Sequence, residues 1–108
     1  MRGANLEYEN VWRAVREYVE GERNYRNPKL TAAMVAEAVG VSRTSLTKVL
    51  KEVRQVTFLQ YLDNVRIRRA HHALTMCKGV PDMEHIAFLC GFGSVRTFKE
   101  KYNKTYGI

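Results

Sequence analysis

The sequence predicts an all-α fold: two helix-turn-helix subdomains joined by a long linker helix. Three observations predict it. An internal echo recurs, 51 residues apart between Ala36 and Ala87 and 52 between Ser42 and Ser94. Its copies read Ala36-x-x-x-Gly40-x-Ser42-x-x-x-Leu46-x-x-x-Leu50 and Ala87-x-x-x-Gly91-Phe92-Gly93-Ser94-x-x-x-Phe98-x-x-x-Tyr102. In each, a small Ala lets two helices approach, a Gly makes the turn and a Ser caps the second helix before its apolar stripe. Apolar residues elsewhere recur at helical spacing, and no segment alternates as a strand would. Finally, one long periodic segment lies between the two echoes.

Taken in order, 6–20 is periodic, with Val11, Val15, Tyr18 and Val19 on one face and Trp12 beside them; Gly21 ends it and Asn27-Pro28 marks a loop. Thr31 caps a short helix carrying Met34, Val35, Ala38 and Val39, which stops at Gly40. Ser42 caps the next, whose buried face is Leu46, Val49, Leu50 and Val53. Thr57-x-x-Gln60 is a capping box, with Val56 and Tyr61 spaced for a hydrophobic staple. It opens a helix to about Cys77, before Lys78-Gly79-Val80-Pro81. Asp82 caps the helix of Ile86, Ala87 and Cys90, closed by Gly91. Ser94 caps the last, with Phe98, Tyr102 and Tyr106 four apart.

The middle helix carries two stripes out of phase: Phe58, Leu62 and Val65, then Ile67, Ala70, Leu74 and Cys77. Its start is expected to pack on the first lobe and its end on the second. About twenty residues span ~30 Å, close to the ~34 Å between successive major grooves on one side of B-DNA. The expected organisation is one module: 1–56 as first lobe, 57–77 as linker helix and 78–108 as second lobe.

Length and charge narrow the function. A chain of 108 residues supports one compact domain or two small lobes sharing a helix, and 45% hydrophobic content is enough for a core. A net charge of +7 points to a polyanion, of which nucleic acid is the commonest, with plain solubility charge as the alternative. No apolar run approaches the ~18 residues of a membrane span and no signal-peptide core is present, so a cytoplasmic protein without membrane contact is expected. Cys77 and Cys90 make no disulfide framework; both sit in apolar helical patterns, which predicts reduced core residues. His71, His72, Cys77, His85 and Cys90 match no compact zinc-ligand spacing, so neither metal nor cofactor is expected.

The polar faces supply the candidate site. Opposite the apolar stripe of the first echo's second helix lie Arg43, Thr44, Thr47, Lys48 and Lys51. Cationic side chains can take guanine edges or phosphates, and threonine methyls can touch thymine. The second echo offers Arg96, Thr97, Lys99, Glu100, Asn103 and Lys104. Ser42, Ser94 and the amides behind them suit phosphates. Val95 is either core edge or a thymine contact. Glu100 either pairs with Arg96 at i+4 or accepts from a cytosine amino group. Arg66 and Arg69 on the middle helix read as phosphate or inter-lobe contacts, or as a solvated flank. Charge runs are usually solvated faces; two basic faces on two helix-turn-helix signatures favour DNA.

From Leu30 to Ile108 the chain resembles the DNA-binding module of the arabinose-operon regulator (AraC/XylS) family of bacterial transcription factors. The stretch from Val35 to Glu52 resembles that family's first helix-turn-helix. Tyr61, Leu62, Arg66, Ile67, Ala70 and Leu74 resemble its linker helix, and Ile86, Ala87, Gly91-Phe92, Phe98, Tyr102 and Gly107 its second unit. The resemblance implies a homeodomain-like module whose two recognition helices enter adjacent major grooves of double-stranded DNA. Carried over by position, base contacts fall at Thr44, Thr47 and Lys48, and among Val95, Arg96, Thr97, Lys99 and Glu100. Phosphate-contact candidates are Ser42, Arg43, Lys51, Arg66, Arg69, Ser94, Asn103 and Lys104.

Three departures stand out: Gln55 where the family usually has Gly, Glu100 where a basic residue is usual, and an end at Ile108 where the family pattern continues. The last implies a piece of a longer protein or a chain trimmed at its end, with a sensor or dimerisation domain expected elsewhere. No nucleophile–base set, phosphate-binding Gly-rich loop or paired-carboxylate site is present, which argues against an enzyme. The alternative is a helical protein-interaction module contacting RNA polymerase or a partner regulator.

Overall fold

All described elements are helical. The structure, a computed structural model, describes residues 6–107, so the expectation drawn from the end at Ile108 lies outside it. Helix α1 (Leu6–Arg16) runs on through a wider π turn, Glu17–Gly21, and a 3₁₀ turn follows at Asn24–Arg26. Then come α2 (Ala32–Val39), α3 (Arg43–Val49) with its own π turn at Leu50–Arg54, α4 (Phe58–Thr75), α5 (Met83–Leu89) and α6 (Val95–Tyr106).

Helices begin where the sequence supplies a side-chain acceptor. Thr31, Ser42, Asp82 and Ser94 each take extended backbone and accept the N–H three residues on, opening α2, α3, α5 and α6. Such a cap satisfies one of the donors that a helix start leaves orphaned, worth about 1 kcal/mol. At α4 the box closes both ways: Gln60 N–H donates to Thr57 Oγ1 (3.1 Å) and Thr57 N–H to Gln60 Oε1 (2.9 Å).

The described chain divides into two compact units, 6–24 with 29–61 and 25–28 with 62–107. In the first, α1 packs on α2 and α3, and α2 on α3. Val15, Val19, Val35, Leu46 and Leu50 are fully buried there. The first turn of α4 belongs to this unit and its remainder to the second.

The second unit is built on Ile67, Ala70, Ile86, Ala87, Cys90, Phe92, Phe98 and Tyr102. An aromatic series runs through it: Phe92 to Phe98 (5.2 Å between ring centres), Phe98 to Tyr102 (5.6 Å), Tyr102 to Tyr106 (4.8 Å) and Tyr106 stacked on His71 (4.1 Å). Phe98 is fully buried, which contributes about 1.5–3 kcal/mol. It holds α6 to the core, and an ion pair of Lys101 with Asp63 (2.7 Å) adds a second tie.

The structure corrects three sequence expectations. Cys77 is exposed and outside the helix. The α4 helix stops at Thr75, whose hydroxyl turns back to donate to the His72 carbonyl (2.8 Å), so the second stripe ends at Leu74. Met34 faces solvent, leaving Val35 and Ala36 as the buried pair of α2. Helix α3 does not keep one period to Val53: its last turn widens, and Gln55 ends it at φ 55, ψ 40. That left-handed position is one that glycine adopts freely; Gln55 partly offsets the strain by donating its amide to the Glu52 carbonyl (3.1 Å).

Candidate nucleic-acid interface

In the first unit the α2–α3 turn passes through Gly40 at φ 80, and Ser42 then starts α3. With Leu46, Val49 and Leu50 turned inward, Arg43, Thr44, Ser45, Thr47, Lys48 and Lys51 are all exposed. Among the described residues none of these three cations has a carboxylate partner. The face is therefore an uncompensated cationic strip with two threonine methyls along it, suited to a polyanion that also offers apolar edges.

The second unit repeats this arrangement atom by atom at its helix start. Ser94 accepts the Thr97 N–H (3.1 Å) and its hydroxyl donates to Thr97 Oγ1 (3.0 Å). Ser42 does the same to the Ser45 N–H and Oγ (3.0 Å each). Each pair shares one hydroxyl–hydroxyl hydrogen bond, so one hydroxyl proton of the two is left over at each helix start; nothing in the spacing singled out Ser45.

On α6, Arg96, Lys99, Glu100, Asn103 and Lys104 are exposed and Thr97 is half-buried. Val95 is half-buried and packs against the Phe98 cluster, as its core-edge reading expects. Glu100 lies 3.5 Å from Arg96 in an exposed i,i+4 pair, so the carboxylate restrains the guanidinium on this face. Lys99 and Lys104 have no such partner among the described residues.

The two arginines of α4 separate. Arg69 is exposed, with its guanidinium 5.4 Å over the Tyr25 ring. Arg66 is buried: Nε donates to the Tyr25 carbonyl (2.9 Å) and Nη2 to the Asn27 carbonyl (2.8 Å). Burial pulls its pKa down, partly countered by Asp63. Its assignment as a phosphate contact is thus corrected, because the side chain is buried and two of its five donors are bound to backbone carbonyls.

Among the described residues no group of three or more His, Cys, Asp or Glu is placed to hold a metal ion, and no helix is long and apolar enough to cross a membrane.

Comparison with known proteins follows the same lines. Residues 35–108 match the family described as "Helix-turn-helix domain". Among solved structures, the C-terminal domain of the two-component response regulator yesN from Fusobacterium nucleatum superposes with a TM-score of 0.80 at 24% identity, covering 92% of this chain and 98% of that one. A DNA-binding transcriptional dual regulator from Escherichia coli K-12 gives 0.76 at 26% identity, covering 91% and 83%. A probable AraC family transcriptional regulator from Rhodopseudomonas palustris gives 0.75 at 25%, covering 92% and 89%. No curated protein sequence matches the chain.

Proposed function

Because this chain belongs to the helix-turn-helix domain family, we propose that it is the sequence-specific, double-stranded-DNA-binding module of an AraC/XylS-type transcriptional regulator. Two helix-turn-helix lobes, joined by α4, would each set a recognition helix, α3 or α6, into one of two adjacent major grooves. The observation that carries this reading is the duplicated helix start: Ser42 and Ser94 cap in the same way, and each opens a helix whose outward face is cationic. A solvated surface has no need of that repetition. Base edges fall to Thr44, Thr47 and Lys48 in the first lobe and to Arg96, Thr97 and Lys99 in the second, where Glu100 restrains Arg96. Ser42, Arg43, Lys51, Arg69, Ser94, Asn103 and Lys104, with Ser45 beside Ser42, are assigned to phosphates. The three similar structures are described as regulators or a regulator's C-terminal domain, none as an enzyme.

The test is selection of bound duplexes from a random pool at about 150 mM salt, where surface charge is partly screened. Two enriched blocks about one helical turn apart are expected. Lys48→Ala and Arg96→Ala should each then cost about 1–3 kcal/mol on the selected duplex and relax preference in one block only. A pool that emerges unenriched would refute sequence-specific reading and favour a protein-interaction module.

A further inference from the structure

Four residues in the loop after α1 are held in the second unit rather than the first. Arg66 does this: buried within α4, it grips the Tyr25 and Asn27 carbonyls together. An arginine is costly to bury unless its donors are satisfied, so the bonds that make its burial tolerable also fix the path of 25–27. Tyr25 is itself buried, and its carbonyl abuts Gly91, in the turn between α5 and α6. Arg26 is the exposed residue next in line. It is therefore pinned beside the turn that leads into Ser94 and α6.

Arg69 comes to the same place from the other side. It follows Arg66 by three residues on α4 and lies over the Tyr25 ring, a cation–π contact that restrains the guanidinium. The Cys90 thiol, one residue before Gly91, feels both Arg26 and Arg69, although burial dominates its raised pKa. Neither arginine has a carboxylate partner among the described residues: Asp63 is taken by Lys101 and Glu100 by Arg96. One guanidinium restrained on an aromatic ring, and a second exposed one on a loop whose backbone is pinned, both uncompensated, suit phosphate oxygens better than a stabilising surface pair.

We propose that Arg26 and Arg69 grip the DNA sugar–phosphate backbone beside the groove entered by α6, with Arg66 and Tyr25 as the frame that positions them. The inference rests on the DNA-binding reading above, and brings a loop upstream of the matched helix-turn-helix region into the interface. Its contacts carry no sequence information; they add affinity equally on every duplex.

The experiment uses the whole chain and two duplexes, one selected from the pool and one scrambled. Affinity is measured by fluorescence anisotropy between 50 and 200 mM salt. The variants are Arg26→Gln, Arg69→Gln, the double variant and Arg68→Gln, which changes an exposed α4 arginine with no aromatic or loop restraint among the described residues. Melting followed by circular dichroism confirms that each is folded. Each single variant should flatten the slope of log affinity against log salt by about 0.9, and the double by about 1.8. The double variant's affinity should then fall about twelvefold less than the parent's across that range, on both duplexes, while Arg68→Gln keeps the parent slope. A double variant with the parent's slope and affinity overturns the grip but leaves the regulator reading standing. Equal losses for Arg68→Gln overturn it too, as a general charge effect. A parent that binds neither duplex overturns both.

Discussion

Gly40 and Gly91 occupy the same place in the two echoes, yet substituting them with alanine should have very different costs. Both are left-handed, at φ 80 and φ 90. A Cβ at Gly40 meets nothing within 4 Å, so Gly40→Ala carries only the backbone penalty. That is about 1–2 kcal/mol, reduced by the unfolded chain's lost freedom, for a net of about 1 kcal/mol. A Cβ at Gly91 would land on the Tyr25 carbonyl oxygen and within 2.9 Å of Arg66 Nε. Neither neighbour can yield cheaply, since one is backbone and the other is buried and bonded to it. Moving Tyr25 breaks a hydrogen bond to a charged group, worth about 1.5–3 kcal/mol. Gly91→Ala should therefore cost about 2.5–4 kcal/mol in total. Urea titration followed at 222 nm measures both variants against the parent. Two losses within 1 kcal/mol of each other would refute the claim that the Tyr25–Arg66 frame presses on this turn.

The same reasoning sets three further outcomes. Gln55 holds a conformation that glycine adopts freely, so Gln55→Gly should raise stability by about 0.5–1 kcal/mol; a lower urea midpoint would contradict the strain assigned to it. Removing the acidic group from α6 by Glu100→Gln should leave stability within about 0.5 kcal/mol, because the pair is exposed, and should raise affinity for duplex DNA. Unchanged or weaker binding would make Glu100 a base-reading group. Of the two thiols, Cys77 should react at once with an aromatic disulfide reagent and Cys90 only on unfolding. Burial raises the Cys90 pKa above its unfolded value, so its stabilising contribution holds below the thiol range and is lost as pH rises through the folded value. Stability should drop above about pH 9, less so in Cys90→Ala; identical pH profiles would remove the thiol from that account.

How much was legible depended on the reach of each interaction. The caps at Thr31, Ser42, Asp82 and Ser94 were readable because each is one hydrogen bond across three residues. The basic faces followed from knowing which side of each helix was apolar. Periodicity cannot show where a helix runs out, and so it carried Cys77 into a stripe that ends before it. The π turn after Val49 was equally invisible, because its apolar spacing also fits an α-helix to Val53. Arg66 was misassigned for a different reason. Residue type suggests phosphate, while burial depends on carbonyls 41 and 39 positions away, and no local pattern announces such partners. Arg26 was passed over on the same ground.

The excursion of Tyr25–Pro28 also bears on how this chain is put together. The polypeptide enters the second unit briefly, returns to the first for α2 and α3, and comes back for good along α4. Closing the Tyr25–Arg66 link spans 41 positions, an ordering cost of about 3 kcal/mol from chain entropy alone, so it should form late, after the local helices. No single break in the backbone separates the units. A fragment beginning at residue 29 would keep both echoes, every cap and both recognition helices, yet it would strand the Arg66 guanidinium without its carbonyls. What looks in sequence like two tandem copies is, in terms of chain connectivity, an interleaved pair, and insertions between Asn24 and Lys29 should be felt in the half of the molecule encoded forty residues later.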